Sequence, residues 1–148
     1  MRAVIQRVNS ASVTVNNKVV AGIKKGLVVF LGVETGDSSE QAKYLAQKIV
    51  DLRIFNDQNR KMNLNAKEVD AELLVVSQFT LCADLIKGRR PSFEGAAPKE
   101  LAEELYSEFI QYLKASQLKI EQGIFKEYMT VHLENDGPVT FILSSAKE

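Results

Sequence analysis

Three short runs hold most of the residues in this chain that could do chemistry. Ser77-Gln78-Phe79-Thr80 sets two hydroxyls and an amide where the apolar run Glu72 to Phe79 (ELLVVSQF) gives out. The end of a buried strand beside a loop is a common binding position, because the scaffold holds it and the loop exposes it. The same residues also suit a plain strand cap. Asn135-Asp136-Gly137-Pro138-Val139-Thr140 joins two strand-like runs. Asp-Gly is a hairpin signal. The proline that follows removes a backbone donor and restricts Gly137. A simple hairpin loop is the bland alternative. Lys87-Gly88-Arg89-Arg90-Pro91 is a basic knot that can hold a few phosphates or stay a solvated surface run.

Ordinary side-chain catalysis lacks its parts. A Ser-His-Asp triad needs an imidazole to carry the proton. His132 is the sole histidine, and it sits between Val131 and Leu133 in an alternating run. It reads as a strand-face residue. Cys82 is the sole cysteine, with no basic residue within four positions. It reads as a small apolar filler, since a reactive thiolate needs an electropositive setting. Gly22, Gly26, Gly32 and Gly36 fit neither nucleotide-loop fingerprint. One histidine cannot make a histidine-rich metal site, and one cysteine cannot make an internal disulfide. An enzyme built this way must draw on backbone donors or on the substrate itself.

These residues need a frame. With 148 residues, 45% apolar and 26% charged, the chain reads as one globular domain over residues 1–148. Nineteen basic and nineteen acidic residues cancel, which excludes a global electrostatic grip on nucleic acid but not a local one. The longest unbroken apolar run, Leu27 to Leu31, is too short to span a bilayer. Met1 to Val8 has no apolar leader core. A cytoplasmic protein with no membrane partner is the expectation.

The apolar pattern predicts about seven strands and two main helices in a mixed α+β domain. Arg2 to Val8, Ala11 to Val15 and Lys18 to Ala21 read as strands, the last two joined by an Asn16-Asn17 turn. Gly26 to Val33 (GLVVFLGV) is apolar throughout, as suits a strand covered on both faces. Ser38 and Gln41 form a capping box for a helix carrying Ala42, Leu45, Ala46, Ile49 and Leu52. Arg53 to Phe55 starts another strand, and Asp57 to Lys61 reads as a loop. Glu72 to Phe79 is a second buried strand. Cys82 to Pro98 is the longest loop. Pro98 suits the first turn of a second helix, with Leu101, Leu105, Phe109, Tyr112 and Leu113 as its apolar stripe. Tyr128 to Leu133 and Val139 to Leu143 complete the set.

Taken together, SQFTL (Ser77 to Leu81) and NDGPVT (Asn135 to Thr140) resemble the two signature motifs of the D-aminoacyl-tRNA deacylases. The resemblance extends to MRAVIQRV, GLVVFLGV, LRIF, KMNL (Lys61 to Leu64), ELLVVSQFTL and KGRRPSF (Lys87 to Phe93), in order along essentially the whole chain. It implies a layered β/β/α homodimer that hydrolyses the ester between a D-amino acid, or mischarged glycine, and the 3′ terminal adenosine of tRNA, without metal or cofactor. It implies that Ser77, Gln78, Phe79 and Thr80 line the pocket, with the Phe79 and Thr80 N–H groups as donors. It further implies that a cis Gly137-Pro138 pair enters the partner's active site and excludes L side chains. Arg7 and Met129 are the residues matched to buttressing that loop. Lys87, Arg89 and Arg90 are the candidate tRNA contacts. The chain departs from the family where Gln122-Gly123-Ile124-Phe125-Lys126-Glu127 replaces the usual Thr-Gly and Phe-Gly-Ala, and at Cys82 to Ile86.

Two mechanisms compete at that site. Thr80 as nucleophile requires an adjacent base, and none is evident. The favoured route is substrate-assisted: the ribose 2′-hydroxyl beside the ester activates water, while the protein positions and stabilises. The alternative class is a non-catalytic RNA-binding module using Lys87, Arg89 and Arg90.

Overall fold

The computed structural model describes residues 1–146. Among them are eight strands and two α-helices: β1 (Arg2–Val15), β2 (Lys18–Ile23), β3 (Gly26–Gly32), α1 (Ser39–Asp51), β4 (Phe55–Asn56), β5 (Met62–Leu64), β6 (Glu72–Ser77), α2 (Lys99–Lys114), β7 (Ile120–Gln122) and β8 (Thr130–Ser144). A 3-10 helix, Phe79–Cys82, follows β6. The main sheet runs β2-β1-β3-β6-β7, with β8 on the other edge of β1, and β4-β5 is a separate ribbon. The mixed α+β expectation holds, with one strand more than about seven.

The continuous apolar runs have the cause expected of them. In β3, Leu27, Val29 and Leu31 enter one core, and Val28 enters another. In β6, Leu73 and Val75 enter the first, Leu74 and Val76 the second. Alternate side chains of a strand point to opposite faces, so a strand sandwiched on both sides must be apolar throughout. The first core lies under α1 and α2, whose buried stripes include Leu45, Ile49, Leu105 and Phe109. The second is closed by β2, the far half of β1 and the first half of β8. The result is a β/β/α layering.

Local signals explain most of the joints. Asn16 and Asn17 both have positive φ, at 49° and 62°, and make the tight turn between β1 and β2. The capping box of Ser38 and Gln41 starts α1. Pro98 sits just before α2, at its N-cap, with the helix opening at Lys99. Gly26 is obligatory: a Cβ there would lie 1.7 Å from the Glu72 carbonyl oxygen, where β3 and β6 begin side by side.

Two expectations are corrected. Arg2 to Val8 and Ala11 to Val15 are one strand, β1, whose inward parity changes between Val8 and Ala11 at an irregularity. Asn135 to Pro138 is not a hairpin loop between two strands. Both flanks pair with β1, so the segment is a bulge within β8. From Gln6 to Val8, β1 advances two residues, while β8 advances five, from Asn135 to Thr140. The surplus residues must leave the ladder. The hairpin signal was local, and the long-range pairing with β1 overrides it.

Candidate functional site

β6 stops where its chain leaves the ladder. The Gln78 N–H donates to the Leu31 carbonyl at 2.8 Å, and the backbone then turns into the 3-10 helix. The expected strand Glu72 to Phe79 therefore ends at Ser77. Gly32 makes room for this turn: a Cβ there would meet Cys82 Sγ at 2.9 Å and the Gln78 oxygen at 3.0 Å. Cys82 is buried and its thiol donates to the Val33 carbonyl at 3.4 Å. Burial pushes its pKa up, so it is an anchor for the turn and no thiolate nucleophile.

The turn leaves donors unspent. The first N–H groups of a helix have no intrahelical acceptor, and here these belong to Phe79 and Thr80. Leu81 and Ala83 spend theirs on the Gln78 and Thr80 carbonyls, both at 3.2 Å. The Gln78 side-chain amide donates to Thr80 Oγ1. Thr80 is exposed, and no imidazole, carboxylate or amine hydrogen-bonds its hydroxyl among the described residues.

Beside this turn opens a cleft of about 710 Å³. Ser77, Gln78 and Phe79 form one side, Ala97 and Lys99 at the start of α2 another, and Phe125 to Met129 a third. Its walls are mainly apolar, with few polar groups, as suits a site that orients a small ligand. Phe125 is fixed from behind by Tyr106, whose ring centroid lies 5.8 Å away. The Tyr106 hydroxyl in turn donates to the Val75 carbonyl at 3.1 Å. Desolvation raises the pKa of that hydroxyl, so it stays a proton donor.

The other motif is built from β1 outward. Arg7 is buried, the one charged residue so placed among the described residues. Its Nη1 donates to the Ile54 carbonyl at 2.8 Å and to Asn56 Oδ1 at 3.1 Å. Its Nε lies 2.9 Å from Asp136 Oδ2, an ion pair that ties the bulge to β4. Asn135 Nδ2 donates to the Arg7 and Val139 carbonyls at 2.9 and 3.2 Å, closing the base of the bulge. Val139 returns to the core, which leaves Gly137 and Pro138 exposed at the crest with a cis bond between them.

The structure thus groups the sequence candidates in three places. Ser77, Gln78, Phe79 and Met129 line the cleft, with Thr80 next in the turn. Arg7 and Asp136 support Gly137-Pro138, which does not line the cleft of the same chain. Within one chain, then, Arg7 stands behind the bulge, while Met129 stands in the cleft wall. Lys87, Arg89 and Arg90 are exposed on a loop pinched by the Asp84–Ser92 bridge. That loop reaches the cleft through Phe93, whose ring packs edge-on against Phe79 at 5.1 Å. His132 is exposed on β8. Sequence reasoning missed Lys99, Phe125 and Tyr128 in the wall. The departure of Gln122 to Glu127 from the family pattern touches Phe125 alone, and no signal pointed to Lys99 or Tyr128. Among the described residues, no cluster of three His, Cys, Asp or Glu could hold a metal, and no helix is long and apolar enough to cross a membrane.

Comparison with known proteins places this geometry. The family model described as D-Tyr-tRNA(Tyr) deacylase matches residues 4–144. A D-aminoacyl-tRNA deacylase of Dictyoglomus turgidum is 56% identical over 145 residues, which is 98% of this chain and 93% of that one. One from Desulfatibacillum aliphaticivorans is 59% identical, covering 98% and 99%. The solved structure titled c-Myc DNA Unwinding Element Binding Protein superposes with a TM-score of 0.93 at 40% identity, over 99% of this chain and all (100%) of that one. A probable eukaryotic D-amino acid tRNA deacylase has a TM-score of 0.81 at 18% identity, over 96% and 97% of the two chains, which speaks to fold alone. The layered fold and the matches over nearly the full length agree: the chain belongs to the D-Tyr-tRNA(Tyr) deacylase family.

Proposed function

We propose that this protein hydrolyses the ester of D-aminoacyl-tRNA, and of glycine mischarged on tRNA, releasing the free amino acid and tRNA. The observation that carries this reading is the cleft beside Ser77 to Thr80, which offers free backbone N–H groups and an apolar wall, while among the described residues no side-chain base hydrogen-bonds the Thr80 hydroxyl. Such a site can hold an ester and stabilise developing negative charge on its carbonyl oxygen. Loss of one donor of this kind costs about 3–4 kcal/mol in a studied hydrolase.

The base then comes from the substrate. The ribose 2′-hydroxyl lies beside the ester on the terminal adenosine and activates the attacking water. Thr80 and Gln78 position the ester. The protein works as a homodimer, in which the exposed Gly137-Pro138 of the partner subunit covers the cleft. A wall there clashes with an L side chain, while D side chains point outward and glycine has nothing to clash. Specificity of this kind comes from repulsion of the wrong substrate rather than from reward of the right one. Lys87, Arg89 and Arg90 meet tRNA phosphates. The setting is the cytoplasm.

Release of free D-tyrosine from D-tyrosyl-tRNA, well above the buffer rate, tests the activity. The same tRNA ending in 2′-deoxyadenosine tests the chemistry: it should be a very poor substrate. Hydrolysis of it at the normal rate contradicts the 2′-hydroxyl role.

A further inference from the structure

The cleft wall carries a feature that the reading above does not use. Ile124 to Glu127 is a turn, closed by the Glu127 N–H donating to the Ile124 carbonyl at 3.3 Å. Its third residue, Lys126, has φ of 71°. That left-handed position favours glycine, and an L side chain rarely adopts it. A lysine held there places a cation at the cleft against backbone preference.

The turn is braced on both sides. Phe125 packs on Tyr106, and the Gly123 N–H donates to the Val75 carbonyl at 3.0 Å. Met129 returns to the second core. Between these anchors the chain points outward. Tyr128 lines the cleft and is 99% exposed, with no aromatic partner among the described residues. Lys99 is exposed and lines the same cleft. Glu127 is the one acid beside them in that lining.

An uncovered aromatic ring beside cations is the combination that binds unpaired nucleotides. The ring stacks a base of any identity, and the cations follow the backbone. We infer that Tyr128 is a stacking platform for an unpaired base immediately upstream of the reacting adenosine, with Lys126 and Lys99 on the neighbouring phosphates. This inference rests on the deacylase reading for its substrate. It adds a tRNA contact distinct from the basic loop of Lys87 to Arg90.

Two substrates separate the possibilities: D-tyrosyl-tRNA, and 3′-D-tyrosyl-adenosine, which has no upstream nucleotide. Tyr128→Ala should raise KM for the tRNA about tenfold, well beyond any change for the adenosine ester, with the loss falling on KM rather than kcat. Tyr128→Phe, which keeps the ring, should restore the tRNA KM. Anisotropy of labelled uncharged tRNA should show the same order without any turnover. Equal effects on the two esters, failure of Tyr128→Phe to rescue, unaltered tRNA binding by Tyr128→Ala, or loss of the dimer in that variant would each overturn the inference. Failure of the parent protein to hydrolyse either ester would instead count against the deacylase reading, while the anisotropy series still decides on the platform.

Discussion

Thr80 accepts a hydrogen bond from the Gln78 amide, which orients its hydroxyl without removing its proton. A positioning hydroxyl contributes about one ordinary hydrogen bond, roughly 0.5–1.5 kcal/mol. Thr80→Ala should therefore lower kcat/KM by about tenfold or less, measured on D-tyrosyl-tRNA. Complete loss in a folded variant, or a trapped acyl-enzyme, contradicts that role. Arg7 behaves differently, because three partners converge on its guanidinium: Ile54, Asn56 and Asp136. Arg7→Ala strands a buried carbonyl and unties the bulge. The expected destabilisation is roughly 1–3 kcal/mol in urea unfolding. Arg7→Lys should not recover it, since a point charge cannot serve three directions at once. Full recovery by lysine would show that charge alone matters.

At the scale of elements, the contact between β3 and the 3-10 helix sets the site. Gly32→Ala places a methyl 2.9 Å from Cys82 Sγ and 3.0 Å from the Gln78 oxygen. Overpacking of this kind costs about 1–3 kcal/mol. The strain falls on the turn that presents Phe79 and Thr80, so activity should drop together with thermal stability. An unchanged kcat in a stable Gly32→Ala protein contradicts this coupling. Glu72, at the start of β6, gives a pH prediction. The Lys24 N–H donates to its carboxylate at 2.7 Å and Lys119 lies 3.4 Å away. The Lys24 bond is the largest cause holding its pKa below the ordinary 4.5, assisted by Lys119 and opposed by desolvation. A depressed carboxylate stabilises the fold above its unfolded pKa, and that contribution fades as pH falls from about there through the lower folded value. Glu72→Gln should flatten this part of the acid limb of an unfolding curve. An identical acid limb in the variant contradicts the assignment.

What the sequence discloses follows the range of each signal. The two-sided burial of Gly26 to Val33, the Ser38 capping box and the Asn16-Asn17 turn are all set within a few residues, and all three are readable. β7 is not, because Ile-Glu-Gln owes its strand to the backbone of Leu73 to Val75 beside it. The bulge at Asn135 to Pro138 misleads for the same reason: Asp-Gly signals a hairpin locally, and pairing with Gln6 and Val8 decides otherwise. In the site, Ser77 to Thr80 is readable because a strand visibly ends there. Lys99, Phe125 and Tyr128 reach the cleft from sequence positions that share no pattern with it.

Across the whole molecule, β8 is a long open edge of the main sheet. It is fifteen residues long and among the described residues pairs only with β1, and Ile142 on it is 81% exposed. A long edge strand left open invites another chain. Together with exposed Gly137-Pro138, this supports the proposed homodimer. Light scattering at assay concentration should give a mass near twice 16.5 kDa. A single-chain mass during full activity contradicts a cleft completed by its partner. The zero net charge of the chain fits the same scheme, since tRNA must then be gripped by placed cations and not by a general field. The most direct test of the account follows ester loss from D-tyrosyl-, L-tyrosyl- and glycyl-tRNA in parallel with one enzyme preparation. Rapid loss of the D and glycyl esters, with the L ester at the buffer rate, is the expected result. Comparable hydrolysis of the two tyrosyl enantiomers, or of neither, would contradict it.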